Sequence, residues 1–274
     1  MRITVEVAGR EWTVDGGSAV EIGIALGFDG EQARAFGLSP ARREAVVAGD
    51  FVGDTRRGGS ANCETLTLTP HGNGTHTEVV GHITVERICV ADAVVEPLLA
   101  ASLLTVQLRT LQQSGESYAG THDEGDLVIC RGELEQARRE IGLEADFLKA
   151  VVIRCDAARE LFEPLDDHSG TNPPYLTVEA VRWLREVGCD HLLVEIPSVD
   201  REDDGGALSN HHVFFGFEPG EPADSASRRR TITEMIRVPD EASDGRYVLS
   251  LRFPRLETDA APSRPVIYPL RERS

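Results

Sequence analysis

The stretch from Phe147 to Ile196 limits what this chain can fold into more than any other. Phe147 to Cys155 is a nearly unbroken apolar run of strand length. Thr177 to Val187 has helical spacing, with Val178, Val181, Trp183 and Leu184 as its apolar positions. Thr177 is placed to cap its start, Glu179 falls in the first turn, and Gly188 is placed to stop it. His191 to Ile196, His-Leu-Leu-Val-Glu-Ile, is apolar again. Strand, helix and strand with a short final loop read as a βαβ unit whose strands pair in parallel.

Other elements spread from end to end. Ile3, Val5 and Val7 alternate as a strand over residues 1–7, and Leu66-Thr-Leu68-Thr is a strand running into Pro70. Residues 83–90 read as a further extended run. Glu133 to Gly142 has helical spacing, and Tyr247 to Phe253 is a late strand. Residues 30–60 are rich in Gly, Arg and Asp and read as loop with short elements. No Pro/Ser-rich linker divides the chain, so residues 1–274 are expected to form a single α/β domain.

Charge narrows the function classes. The formal net charge is −18, which argues against a nucleic-acid backbone or an anionic membrane as partner, since both need basic patches. Arg228-Arg229-Arg230 is the one basic run. The five cysteines are widely spaced, with no C-x-x-C, so a disulfide framework or thiolate zinc site is not expected. Cys130 and Cys155 sit in apolar runs and read as buried thiols of a reducing compartment. The N-terminus does not read as a signal peptide, and no apolar run is long enough to span a membrane. A soluble cytoplasmic protein is expected.

One segment concentrates chemistry. His71-Gly-Asn-Gly-Thr-His76-Thr-Glu78-Val-Val-Gly-His82 holds three of the chain's eight histidines and a carboxylate. On extended backbone residues two apart share a face, so His76 and Glu78 converge. His82 follows Gly81, where a turn can bring it back. Such groups can hold a divalent ion, or one can hold it while another moves protons. A His-rich surface loop is the alternative. Downstream, His211-His212 precede an apolar element, and on an extended piece only one of them faces inward. Glu234 lies inside an apolar run, where burial is costly unless the carboxylate meets a cation. Ser198 and Asp200 follow a strand, where ligands favour open α/β sheets. His168 fits a loop; His122 and His191 read as structural. A nucleophile elbow, a P-loop and a dinucleotide fingerprint are all missing from the sequence.

These residues resemble the signature H-x-G-T-H-x-D-x-P-x-H of the cyclase family that includes bacterial kynurenine formamidase and isatin hydrolase. Gly74-Thr75-His76-Thr-Glu78-Val-Val-Gly-His82 matches its second half. The helix from Leu176, then Ile196-Pro-Ser198-Val-Asp200, His211-His-Val-Phe-Phe-Gly, Thr233-Glu234-Met-Ile, Gly245 to Leu251 and Asp259 to Pro265 match later blocks in order. The resemblance implies a mixed-sheet swivelling β/β/α domain. It implies metal ligands His76, Glu78, His211 and Glu234, with Glu78 bridging, and His82 as proton donor and acceptor. It also implies a dimer or tetramer. Three positions depart: the first histidine falls on Gly72, with His71 one place earlier, the aspartate is Glu78, and the proline is Val80. One ion or two, and a geometry in which His71 turns in, both stay open.

The expected activity is hydrolysis of an amide, formamide or lactam C–N bond in a small-molecule substrate, by water that a divalent ion activates. Zinc is the first expectation for the ion, with manganese or iron suiting the same ligands. Ester or lactone hydrolysis at the same site is one alternative, and a non-catalytic small-molecule binding protein is the other.

Overall fold

In the computed structural model, which describes residues 2–93, 96–156 and 165–272, the parallel unit lies at the centre of the fold. Ala150–Cys155 pairs in parallel with His191–Val194, with Ala150 opposite His191. Leu99–Val106 and Thr231–Glu234 continue the parallel set on either side. Antiparallel strands extend it to an eleven-stranded mixed sheet. On one flank lie Gly245–Ser250, Val266–Glu272 and the N-terminal hairpin of Arg2–Val7 and Arg10–Asp15. On the other lie His76–Glu78 and Ala260–Pro262.

Both faces of the central strands are covered, which is why their sequences are continuously apolar rather than alternating. Val151, Ile153, Leu192 and Val194 pack with Leu134, Leu184, Phe214 and Phe215 of the helices Arg131–Ile141, Val178–Glu186 and Ser209–Phe215. Ala150, Val152 and Leu193 face the other way, against Ile22, Val238 and Leu249. The Thr177 hydroxyl accepts the Ala180 amide at 3.1 Å and caps its helix. Gly142 and Gly188, at φ 67° and 84°, follow the first two helices in the left-handed conformation that glycine adopts without strain. Among the described residues no helix is long and apolar enough to cross a membrane. All five cysteines are free thiols, Cys63 alone being exposed.

Two expectations are corrected. Phe147 and Leu148 belong to a 3₁₀ turn, Ala145–Leu148, that tucks both side chains into the core before the strand begins. Residues 83–90 are not a strand. The chain makes a 3₁₀ turn at Val80–Ile83 and another at Val90–Asp92, then gives its Val90 amide to Thr258. The return folds tightly: a Cβ on Gly81 would lie 1.9 Å from the Ile88 carbonyl oxygen. Gly81→Ala is therefore expected to cost about 3 kcal/mol or more by overpacking, and to displace His82. Denaturant unfolding measures the first effect, and an unchanged midpoint would contradict it.

Candidate metal centre

The centre forms where the short strand His76–Glu78 lies against the end of Thr231–Glu234. The antiparallel register sets His76 opposite Glu234 and Glu78 opposite Ile232. Period two then sends His76, Glu78 and Glu234 to the same face as Ile232, which packs beneath the helices. Thr77 and Thr233 point to the other face, their hydroxyls 2.8 Å apart. His211 comes down on this face from the helix Ser209–Phe215. The Asn210 amide pins that helix by donating to the carbonyls of Leu176 and Val199 at 2.6 and 2.8 Å. His71 and His82 stand on the 3₁₀ turns Pro70–Gly72 and Val80–Ile83 that flank the strand.

Nitrogen and oxygen atoms converge here without satisfying one another. Nε2 of His76 is 3.4 Å from Oε2 of Glu234. Nδ1 of His71 is 3.1 Å from Oε2 of Glu78, and Nε2 of His211 is 2.9 Å from Oε1 of the same carboxylate. Despite these distances, Nε2 of His76, Nε2 of His211 and both oxygens of Glu78 are buried and make no hydrogen bond of acceptable direction among the described residues. Buried polar atoms are almost always bonded, so four orphans aimed together need an explanation. A divalent cation supplies one. Ligands held at about 2.0–2.1 Å in a tetrahedron lie about 3.3 Å apart, close to the spacings found here. The triads His71, His76, Glu78 and Glu78, His82, His211 each keep their donor atoms within 4.8 Å of one another. Imidazole and carboxylate donors of this kind suit zinc, manganese or iron.

Electrostatics point the same way. Burial works against charge on Glu78 and His211, yet each is held ionised by the other. The Glu78 carboxyl sits well below the usual carboxylate range, and the His211 imidazole well above its own. A cation entering the site displaces such a proton. Behind His211, Oδ2 of Asp200 lies 2.6 Å from Nδ1. Asp200 also accepts the amides of Asn210 and His211 and the Tyr118 hydroxyl, at 2.8, 3.1 and 2.7 Å. Burial would raise its carboxyl, but the bond from His211 and these donors keep it below the ordinary value. An ionised acceptor at Nδ1 puts the ring proton there and leaves Nε2 as the electron-pair donor. Asp200→Asn is expected to weaken zinc binding by about 10–100-fold, read by competition with a chromophoric chelator; undiminished affinity would deny Asp200 that role.

Each residue singled out in sequence has a definite place. His76, Glu78, His82, His211 and Glu234 come together, with Glu234 also accepting the Val199 amide at 3.0 Å. The pair His211-His212 lies on a helix rather than an extended piece. His212 faces away, with Nδ1 2.9 Å from the Phe217 carbonyl. His71 turns in. A side chain at Gly72 would be crowded, its Cβ lying 2.5 Å from Leu38 Cδ1, which would have to swing aside, and 3.1 Å from the Ala35 carbonyl. His191 bonds Thr231 at 2.9 Å in the core, where burial lowers its pKa to about 4. His168 and His122 lie outside the cluster. Sequence reasoning missed Asp259, whose Oδ2 lies 2.8 Å from His71 Nε2 and 3.2 Å from His82 Nδ1. It also missed Tyr118. Asp259 opens the last block of the family resemblance but has no local pattern that assigns it a role, and Tyr118 has none at all, because both reach the site from distant segments.

Comparison with known proteins adds the following. The family described as "Putative cyclase" matches residues 12–201. No curated protein matches the chain. An isatin hydrolase bound to the product analogue thioisatinate is similar at 14% identity and a TM-score of 0.60, over 94% of this chain and 94% of its own. Isatin hydrolase A from Labrenzia aggregata, bound to benzyl benzoate, is similar at 15% identity and a TM-score of 0.59, covering 91% and 93%. A structure from Bacillus stearothermophilus described as a "predicted metal-dependent hydrolase" has 14% identity and a TM-score of 0.56, covering 91% and 97%. At these identities the likeness is one of fold.

Proposed function

The chain belongs to the cyclase family, and we propose that it is a metal-dependent hydrolase that cleaves the C–N bond of an amide, formamide or lactam. The observation that carries this reading is the set of four buried, unbonded donor atoms on His76, Glu78 and His211. In this reading His76, Glu78, His211 and Glu234 hold the ion, and His71 takes the place that Gly72 vacates. When bound, a divalent ion supplies a water activated near neutral pH and a Lewis acid for the carbonyl. The chain's own residues supply the rest. Glu78 sits between His71 and His211, so each of its oxygens faces a different imidazole. Asp200 fixes the ring proton of His211 on Nδ1, so that Nε2 is the nitrogen an ion would take. His82 stands beside these groups, with its ring 4.2 Å from that of His71 and 5.4 Å from that of His211. It takes a proton from the attacking water and returns it to the leaving nitrogen, work that an imidazole does at neutral pH. An amide nitrogen must be protonated to leave, which gives the returning imidazole its purpose. Three structures of similar fold are named isatin hydrolases, and isatin is a cyclic amide.

The test pairs elemental analysis of gently purified protein with assays on amide, formamide, lactam and ester analogues sharing one acyl group. Stoichiometric zinc, with C–N cleavage that a chelator abolishes and zinc restores, is the expected result. Cleavage of esters alone would reassign the reaction to C–O bonds. Protein without metal and without turnover would leave a binding module.

A further inference from the structure

Asp259 stands outside every role assigned so far, yet it touches both turns of the centre. It directly precedes the strand Ala260–Pro262, whose register sets Ala260 opposite Glu78. Its backbone carbonyl accepts the Val79 amide at 3.0 Å, which places its side chain over the turn that carries His82. The carboxylate is held from both ends. Oδ1 lies 3.1 Å from the Thr258 hydroxyl. Oδ2 alone meets Nε2 of His71 at 2.8 Å and Nδ1 of His82 at 3.2 Å. The two rings stack 4.2 Å apart, inclined by 29°.

We infer that Asp259 is a positioning residue that sets the tautomers of His71 and His82 together, in opposite senses. A carboxylate oxygen only accepts, and it has lone pairs for two donors. Each imidazole must therefore point an N–H at Oδ2. His71 does so through Nε2; its Nδ1 faces Glu78 at 3.1 Å, and is the nitrogen that gives up its proton when an ion binds there. His82 does so through Nδ1, which leaves its Nε2 unprotonated and able to accept a proton. One carboxylate thus prepares a ligand through one nitrogen type and a base through the other. Asp259 is also what makes the shift from Gly72 to His71 workable. The acceptor at its far nitrogen holds the His71 ring with Nδ1 inward.

The inference rests on reading the site as a metal-dependent hydrolase, but its test needs no substrate. Nitrogen-15 correlation spectra of the zinc-loaded wild type at pH 8 report the protonated nitrogen of each imidazole. The expected spectrum has His71 carrying its proton on Nε2 alone and His82 on Nδ1 alone. In zinc-loaded Asp259→Ala the His82 proton moves to Nε2, and zinc affinity drops by about 10–100-fold, the usual effect of losing an outer partner of a ligand. Zinc bound with a proton on the other nitrogen of either ring overturns the inference and leaves the hydrolase reading intact. A wild type that takes up neither zinc, manganese nor iron overturns both. Should Asp259→Ala fail to fold, the wild-type spectrum still decides.

Discussion

His82→Ala is expected to lower hydrolytic turnover by about 10²–10⁴-fold, the range typical of a lost general acid–base group, with metal content unchanged. His82 stands at the rim of the cluster rather than inside it. Its side chain is 26% exposed, whereas those of His76 and His211 are 0% and 2% exposed. An imidazole open to solvent exchanges protons readily, and a fully enclosed one suits a ligand. Turnover and elemental analysis of the same preparation decide the matter. Loss of the metal along with activity would make His82 a ligand and leave the proton transfers without an agent.

Glu78→Ala is expected to abolish zinc-dependent stabilisation altogether. In the wild type, zinc at about a thousand times its dissociation constant adds roughly 4 kcal/mol to the folded state, seen as a rise in melting temperature that a chelator reverses. Glu78 sets one oxygen against His71 and the other against His211, so its removal dismantles the site rather than trimming it. The metal-free variant should also be less stable, by about 1–3 kcal/mol, because His71 and His211 each lose a carboxylate partner. Thermal unfolding with and without zinc reads both effects. A variant that still gains stability from zinc would remove Glu78 from the centre.

Much of the frame was legible because it depends on short-range order. The apolar run through Ala150–Cys155, the Thr177 cap and the run at His191–Val194 are each local, and together they specify parallel pairing. The shared face of His76 and Glu78 follows from strand periodicity alone. Legibility failed wherever a residue's surroundings come from far along the chain. His211 reads as the start of an apolar element, yet the bonds of Asn210 to Leu176 and Val199 make it the inner face of a helix. Residues 83–90 have strand composition, but Gly81 lets them fold back against their own carbonyls. His71 enters the site with its far nitrogen against Asp259, which lies 188 positions along the chain.

The amino-acid order alone determined a parallel α/β centre, an acidic and low-cysteine chain, and a strand that presents an imidazole and a carboxylate on one side. Only the tertiary structure decided which groups answer them. Asp259 reaches His82 across 177 positions and His71 across 188. Glu234 meets His76 through sheet register, and Asp200 meets His211 through a helix landing. The reason is physical: periodicity assigns a side chain to a face, whereas a binding site requires several faces to be brought within a few ångströms by packing. Burial then does what no local pattern encodes, enclosing imidazole and carboxylate groups together out of reach of bulk solvent.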